Sequence, residues 1–225
     1  MLRAFVFDFD GLIIDTESAL IGAYAEIHAR HGQPFDREHF LRSVGHADYD
    51  FDPWHAFEKR ADRAALETER RQRNRELDKL LPILPGVVAL LDNARAAGLR
   101  LGVASNSGHP HVEGHLGRLG LADYFEFFAC REDVAAPKPA PDLYQLVLAR
   151  FGVPGNQAVA FEDSQTGAAA AKSAGLWTVV VPNSSTAHHD FTPADLRVAS
   201  LAEVRLPDLR ARFAGSPVPT KDGPG

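Results

Sequence analysis

The chain has little sulfur: one cysteine, Cys130, and one methionine among 225 residues. A lone cysteine rules out an internal disulfide framework and fits a reducing, cytoplasmic setting. Long apolar runs are missing too. None reaches the roughly 18 residues that a membrane helix needs, so no membrane partner is expected. The opening stretch LRAFVFDFD lacks the series of basic region, apolar segment and cleavage site that marks a secretory leader. Nor is there a cationic excess. Lys and Arg number 24 against 30 Asp and Glu, a net charge of −6, and no broad field draws nucleic acid or an anionic surface. What is left is an ordinary globular balance, 45% hydrophobic and 24% charged. The length suits one large domain or a domain with a sizeable insertion.

Short apolar runs rich in Phe and Val read as strands over 2–8, 99–104, 125–130, 157–161 and 176–181. Runs of this kind are buried on both faces, as in a parallel sheet. Helical stretches fall between them at 86–98, 111–120, 141–152 and 164–175, and several end in glycine, a common helix stop. The alternation predicts βαβ units and an α/β fold: a Rossmann-like, doubly wound parallel sheet. Residues 16–82 break the pattern. They read as three helices, the last long and charged, with Leu66, Leu77, Leu80 and Leu81 facing inward. We therefore expect a core from 1–15 and 83–214, an all-helical cap from 16–82 hinged near 12–17 and 82–86, and a disordered Pro/Gly-rich tail at 215–225.

Chemistry gathers at the predicted strand ends, where open parallel sheets bind ligands. Asp8 and Asp10 leave the first strand, and alternation sends their side chains to one side. Two adjacent carboxylates are tolerable where a cation neutralises them or one keeps a proton. Alone, D-x-D-G reads equally well as a turn. Glu162 and Asp163 end a second apolar strand, which would bring four acids to one edge; capping of the next helix accounts for at most one of them, and Ser164 serves there as well. Oxygen donors without nearby His or Cys select a hard cation, Mg²⁺ before zinc. Ser105, Asn106 and Ser107 offer hydroxyls, an amide and free N–H groups ahead of a helix, either an anion cradle or a plain cap. Lys138 is stiffly presented between Pro137 and Pro139. Acids, cradle and cation together would hold and polarise a phosphoryl group. Asp8, the deeper acid, suits attack on phosphorus; Asp10, nearer the insertion, suits acid/base work.

With FDFDGLIIDTE, VASNS, KPAPDLY and FEDSQTG in that order, residues 3–182 resemble the haloacid dehalogenase superfamily. The resemblance is to its branch of β-phosphoglucomutase-like phosphatases with a helical cap after the first strand. It implies Asp8 as nucleophile and Asp10 as general acid/base, with the Asp10 main-chain carbonyl on Mg²⁺. It also implies that Ser105 and Lys138 grip the phosphoryl group with help from Asn106. Asp163 would ligate Mg²⁺, with Glu162 beside it, and Thr16 would sit in the hinge. A halide leaves without a proton, so an acid at position 10 argues for phosphoester chemistry. The cap lysines, Lys59 and Lys79, lie in charged surroundings unsuited to Schiff-base chemistry. Where a mutase of this family offers an arginine, the chain reads SVGHADYD, placing His46 and Asp48 there, and Leu20 stands where a cap histidine often meets the acid/base. The expectation is a phosphatase of a small phosphorylated metabolite. A sugar phosphomutase is the alternative, and an idle phosphate-binding regulator a third. His109, His111 and His115 are expected to be solvated residues at a helix start rather than metal ligands. ERRQRNR is expected to be a solvated face. Trp54, His55 and Phe57 line either the substrate or the cap core.

Overall fold

A computed structural model describes residues 1–43, 52–57 and 62–213; His46, Asp48, Lys59 and the tail 215–225 lie outside them. The chain runs β1 (Ala4–Phe7), α1 (Thr16–Arg30), α2 (Arg37–Ser43), α3 (Arg63–Asp78) and α4 (Val87–Ala96). It continues through β2 (Arg100–Ala104), α5 (His109–Arg118), β3 (Phe127–Ala129), α6 (Asp142–Phe151), β4 (Ala158–Glu162) and α7 (Gln165–Ser173), and ends with β5 (Trp177–Val180), β6 (Leu196–Arg197) and α8 (Leu206–Phe213). The strands form one sheet in the order β3-β2-β1-β4-β5-β6, every pairing parallel. The α/β expectation holds, and the order reverses between β1 and β4, the crevice where such sheets bind ligands. β6 and α8 are not foreseen: a two-residue edge strand shows no alternation, and α8 is short.

The sheet is buried on both faces, which is why its strands are apolar throughout. One face is phenylalanine-rich. Phe161 on β4 stacks on Phe7 at 4.8 Å between ring centroids and meets Phe5 edge-on at 5.0 Å. The other face is lined by small residues, Ala4, Ala104, Ala158 and Ala160, against which α6 and α7 pack. Fully buried Phe161 is expected to cost about 3–5 kcal/mol when replaced by alanine, because neighbours anchored in the sheet relax little into the cavity. Urea denaturation of Phe161→Ala measures this.

α1, α2 and α3 form the cap between β1 and β2. α3 packs along α1, and Arg73 Nε reaches across to Glu26 at 2.6 Å. Its other arginines, Arg70 and Arg71, pair with Glu67, so the basic run is an ion-paired helix face. Trp54 and Phe57 are cap core, packed with Ile27 and Leu66, whereas His55 is exposed. Leu66 is buried and Leu81 packs against the sheet's core, but Leu80, expected inward, is 76% exposed. α3 ends at Asp78, so the helical period no longer governs position 80. The two segments joining cap to core run together, with Leu84 N donating to Ile13 O at 2.9 Å. Among the described residues, no helix is long and apolar enough to cross a membrane. Cys130 is buried, and burial pushes its thiol up to about 12, so it is inert.

Candidate active site

Four strand ends meet at the crevice. Asp8 follows β1 directly and keeps the ladder going by donating its N–H to Phe161 O. Glu162 closes β4, and Asp163 is the next residue. Asp8, Glu162 and Asp163 are all buried, and one carboxylate oxygen from each lies within 4.8 Å of the others. Lys138 Nζ bridges Asp8 Oδ1 and Glu162 Oε1, both at 2.6 Å. The lysine, 7% exposed, is aimed by Asn106, whose side chain accepts from Lys138 N (2.9 Å) and donates to Lys138 O (3.1 Å). The Asn106 amide is thus committed to the lysine's main chain. This corrects the expected phosphate contact from that side chain: the residue positions Lys138.

Glu162 is held by Lys138 and by the Tyr144 hydroxyl from α6, and Gly167 on α7 leaves room for its carboxylate, since a Cβ there would overlap it. Ser164 caps α7, accepting from Gly167 N at 3.1 Å, which frees Asp163 from capping. Asp163 Oδ2 instead accepts from Asn183 Nδ2 at 2.8 Å. Gly11 makes this fit possible. Its φ of +77° suits glycine, and a Cβ there would collide with both the Asp163 carboxylate and the Asn183 amide.

The electrostatics are unbalanced. Three buried carboxylates face one ammonium, leaving two negative charges over. Burial pushes Asp8 up to about 8 despite the pull of Lys138, and Glu162 and Asp10 push the same way. Burial, with the charges of Asp8, Glu17 and Glu162, holds Asp163 well above the carboxylate range. Burial opposes the charged lysine, yet Asp8 and Glu162 keep the Lys138 pKa above its usual value. An all-oxygen donor set with a charge deficit of two fits a hard divalent cation.

Asp10 faces the other way, toward the cap. It is half-buried and accepts from Thr16 Oγ1 (2.8 Å) at the start of α1, Ser107 Oγ (2.6 Å) and His111 Nε2 on α5 (2.8 Å). Burial alone would raise Asp10, but the hydrogen bond and charge of His111, with Ser107 and Thr16, hold it below the usual range. Burial would lower His111, and Asp10 with Asp78 raises it instead. Only His109 keeps to the solvated reading of the histidines, paired at the surface with Glu113 and Asp133. His111 is drawn inward by Asp10, and its ring meets Phe9 edge-on at 5.6 Å. Ser105 is buried, its Oγ accepting from Ser107 N at 3.0 Å.

Sequence reasoning missed Tyr144, Asn183, His111 and Glu17. Glu17 is largely buried and its Oε2 has no partner; burial pushes its carboxyl up to about 7, partly offset by Ser185. His111 had a signal, sitting three residues past the Ser105–Gly108 loop on a helix that starts there.

Residues 2–175 match the haloacid dehalogenase-like hydrolase family. The chain belongs to that family. It is 38% identical to YhcW of Bacillus subtilis over 92% of this chain and 95% of that protein. Hexitol phosphatase B of Escherichia coli is 32% identical, over 92% and 96% of the two chains. Among solved structures, CbbY of Rhodobacter sphaeroides in complex with xylulose-(1,5)bisphosphate superposes with a TM-score of 0.69 at 32% identity, over 90% of this chain and 96% of that one. The hydrolase is of the phosphatase kind, with the acidic cluster as its metal site.

Proposed function

We propose that this phosphatase hydrolyses small phosphorylated sugars or polyols with Mg²⁺, through a phosphoaspartate on Asp8. The observation that carries the reading is the meeting of Asp8 with Lys138, Glu162 and Asp163 in one buried group, with Asp10 two residues away on the cap side. Asp8, Asp163 and Glu162 would hold the ion, with the Asp10 main-chain carbonyl. Bound there, it supplies positive charge to the nucleophile and the phosphoryl oxygens.

The chain's own residues account for the rest. A carboxylate oxygen of Asp8 attacks phosphorus and the bond to the leaving oxygen breaks, Asp10 giving that oxygen its proton. A water then attacks the phosphoaspartate, its proton passing to Asp10. The Asp8–phosphorus bond breaks, and orthophosphate leaves. Lys138, held by Asn106, and Ser105 take up charge on the phosphoryl oxygens in both steps. Glu162, held by Tyr144 and Lys138, fixes where that lysine sits. Thr16 lies at the cap's first helical turn and touches Asp10, so the acid/base is linked to the hinge. The names of hexitol phosphatase B and of the CbbY complex support sugars and polyols as the substrate class.

The test is release of orthophosphate from p-nitrophenyl phosphate and from sugar phosphates. Turnover is expected to depend on Mg²⁺, to stop with EDTA and to return when Mg²⁺ is restored. Isomerisation of a sugar phosphate without release of orthophosphate would replace hydrolysis by phosphomutase activity. Undiminished turnover in EDTA would remove the metal from the reading.

A further inference from the structure

Asp10 marks where the leaving oxygen departs, so the body of the leaving group must extend on that side of the site. There the cap and core leave a cavity of about 330 Å³ between the end of α3 and α5, lined by Arg75, Asp78, Lys79, His111, His115 and Arg118. His111 is the wall it shares with the acid/base, since its Nε2 is on Asp10. The charges of His111 and Asp10 also act on Asp78, which places α3 close to the same centre.

Two features of this lining are unspent. Asp78 is 7% exposed, one of its oxygens accepts from Asn74 Nδ2 at 2.7 Å, and its Oδ1 has no partner. A buried acceptor without a donor is costly, and a ligand hydroxyl would supply one. Arg75 and Lys79 are exposed, and neither has an ion pair or side-chain hydrogen bond among the described residues. Arg118, by contrast, is fixed, donating to the main-chain oxygens of Asp78 and Leu81 at 3.3 and 3.2 Å. It pins the end of α3 to α5 and leaves its charge at the cavity.

We infer that this cavity is the leaving-group pocket, and that it takes a hydroxylated carbon chain ending in a second anionic group. A chain hydroxyl donates to Asp78 Oδ1, and the far phosphate or carboxylate sits on Arg75 and Lys79. This rests on the proposed phosphatase reading for which end of the substrate lies at Asp8. It adds a preference for doubly anionic substrates, set by residues of the cap.

The experiment titrates three ligands into the Asp8→Asn protein with Mg²⁺ present: fructose monophosphate, fructose bisphosphate and phosphogluconate. Each is measured again with Arg75→Ser and Lys79→Ser added. Both positions are exposed, so folding is not at stake. The bisphosphate is expected to bind roughly tenfold to hundredfold tighter than the monophosphate, the effect of one charge-assisted contact, and the added substitutions to erase that gain. A matching gain for phosphogluconate assigns the pocket to anions generally; a gain for the bisphosphate alone assigns it to phosphate. Equal affinity for mono- and bisphosphate, or a gain that survives both substitutions, overturns the inference. The phosphatase reading is judged separately, by whether the unaltered protein releases phosphate from the ligands its Asp8→Asn form binds.

Discussion

Asp8→Asn abolishes turnover, by a factor on the order of a thousand or more, and at the same time makes the metal-free protein more stable at alkaline pH. Loss of rate follows from chemistry: an amide oxygen cannot form the covalent phosphoryl intermediate, and what remains is positioning by Lys138 and Ser105. The gain in stability follows from the crowding of acids. Asp8 stands beside Glu162 and Asp163 with a single lysine among them, and burial pushes its carboxyl up to about 8. In the unfolded chain it titrates near an ordinary value of about 4.

Between those two pH values the folded state binds the extra proton. The term therefore lowers stability as pH rises through the window and levels off above about pH 8. Asparagine keeps an oxygen for Lys138 and removes the charge. Thermal unfolding of the metal-free proteins should show the unaltered chain losing Tm from pH 5 to 8 more steeply than Asp8→Asn. Mg²⁺ should raise the Tm of the unaltered chain more than that of the variant, because the ion relieves the same repulsion. Turnover retained in Asp8→Asn would refute the nucleophile, and a variant less stable than its parent at pH 8 would refute the charge deficit.

The sequence showed the sheet and its acids well because both leave local marks. Uninterrupted apolar runs ending in carboxylates can hardly be anything but buried strands opening onto a site. The inward turn of Leu80 was misjudged for the converse reason: helical period was extended past the point where the helix stops. His111 was misread because its partner is 101 positions away, and no local pattern says that a helix-start histidine will find a half-buried carboxylate. Asn106 shows a subtler limit. Its type fits a phosphate cradle, and only the fold reveals that Lys138's main chain takes both ends of the amide. Tyr144 reads as a core aromatic by helical period; its hydroxyl finds Glu162 only because α6 crosses beneath β4.

Replacing Asp10 with asparagine separates the two chemical steps. With p-nitrophenyl phosphate the leaving phenolate needs no proton, so the first step survives. Water attack on the phosphoaspartate loses its base. Rapid mixing should show a burst of nitrophenol close to one per active site, followed by turnover slowed about 10²–10⁴-fold. With an alkyl phosphate the burst should vanish, since that leaving group does need the proton. His111 acts through Asp10, so its variants should repeat the pattern more weakly. His111→Leu fills the space against Phe9 and offers no hydrogen, and should slow the steady state roughly tenfold to hundredfold with KM little changed. His111→Gln can still donate to Asp10 Oδ1 and should recover most of that loss. A packing role predicts the reverse order, leucine better than glutamine. That order, or an Asp10→Asn protein with no burst on the aryl substrate, would remove Asp10 and its histidine from the proton's path.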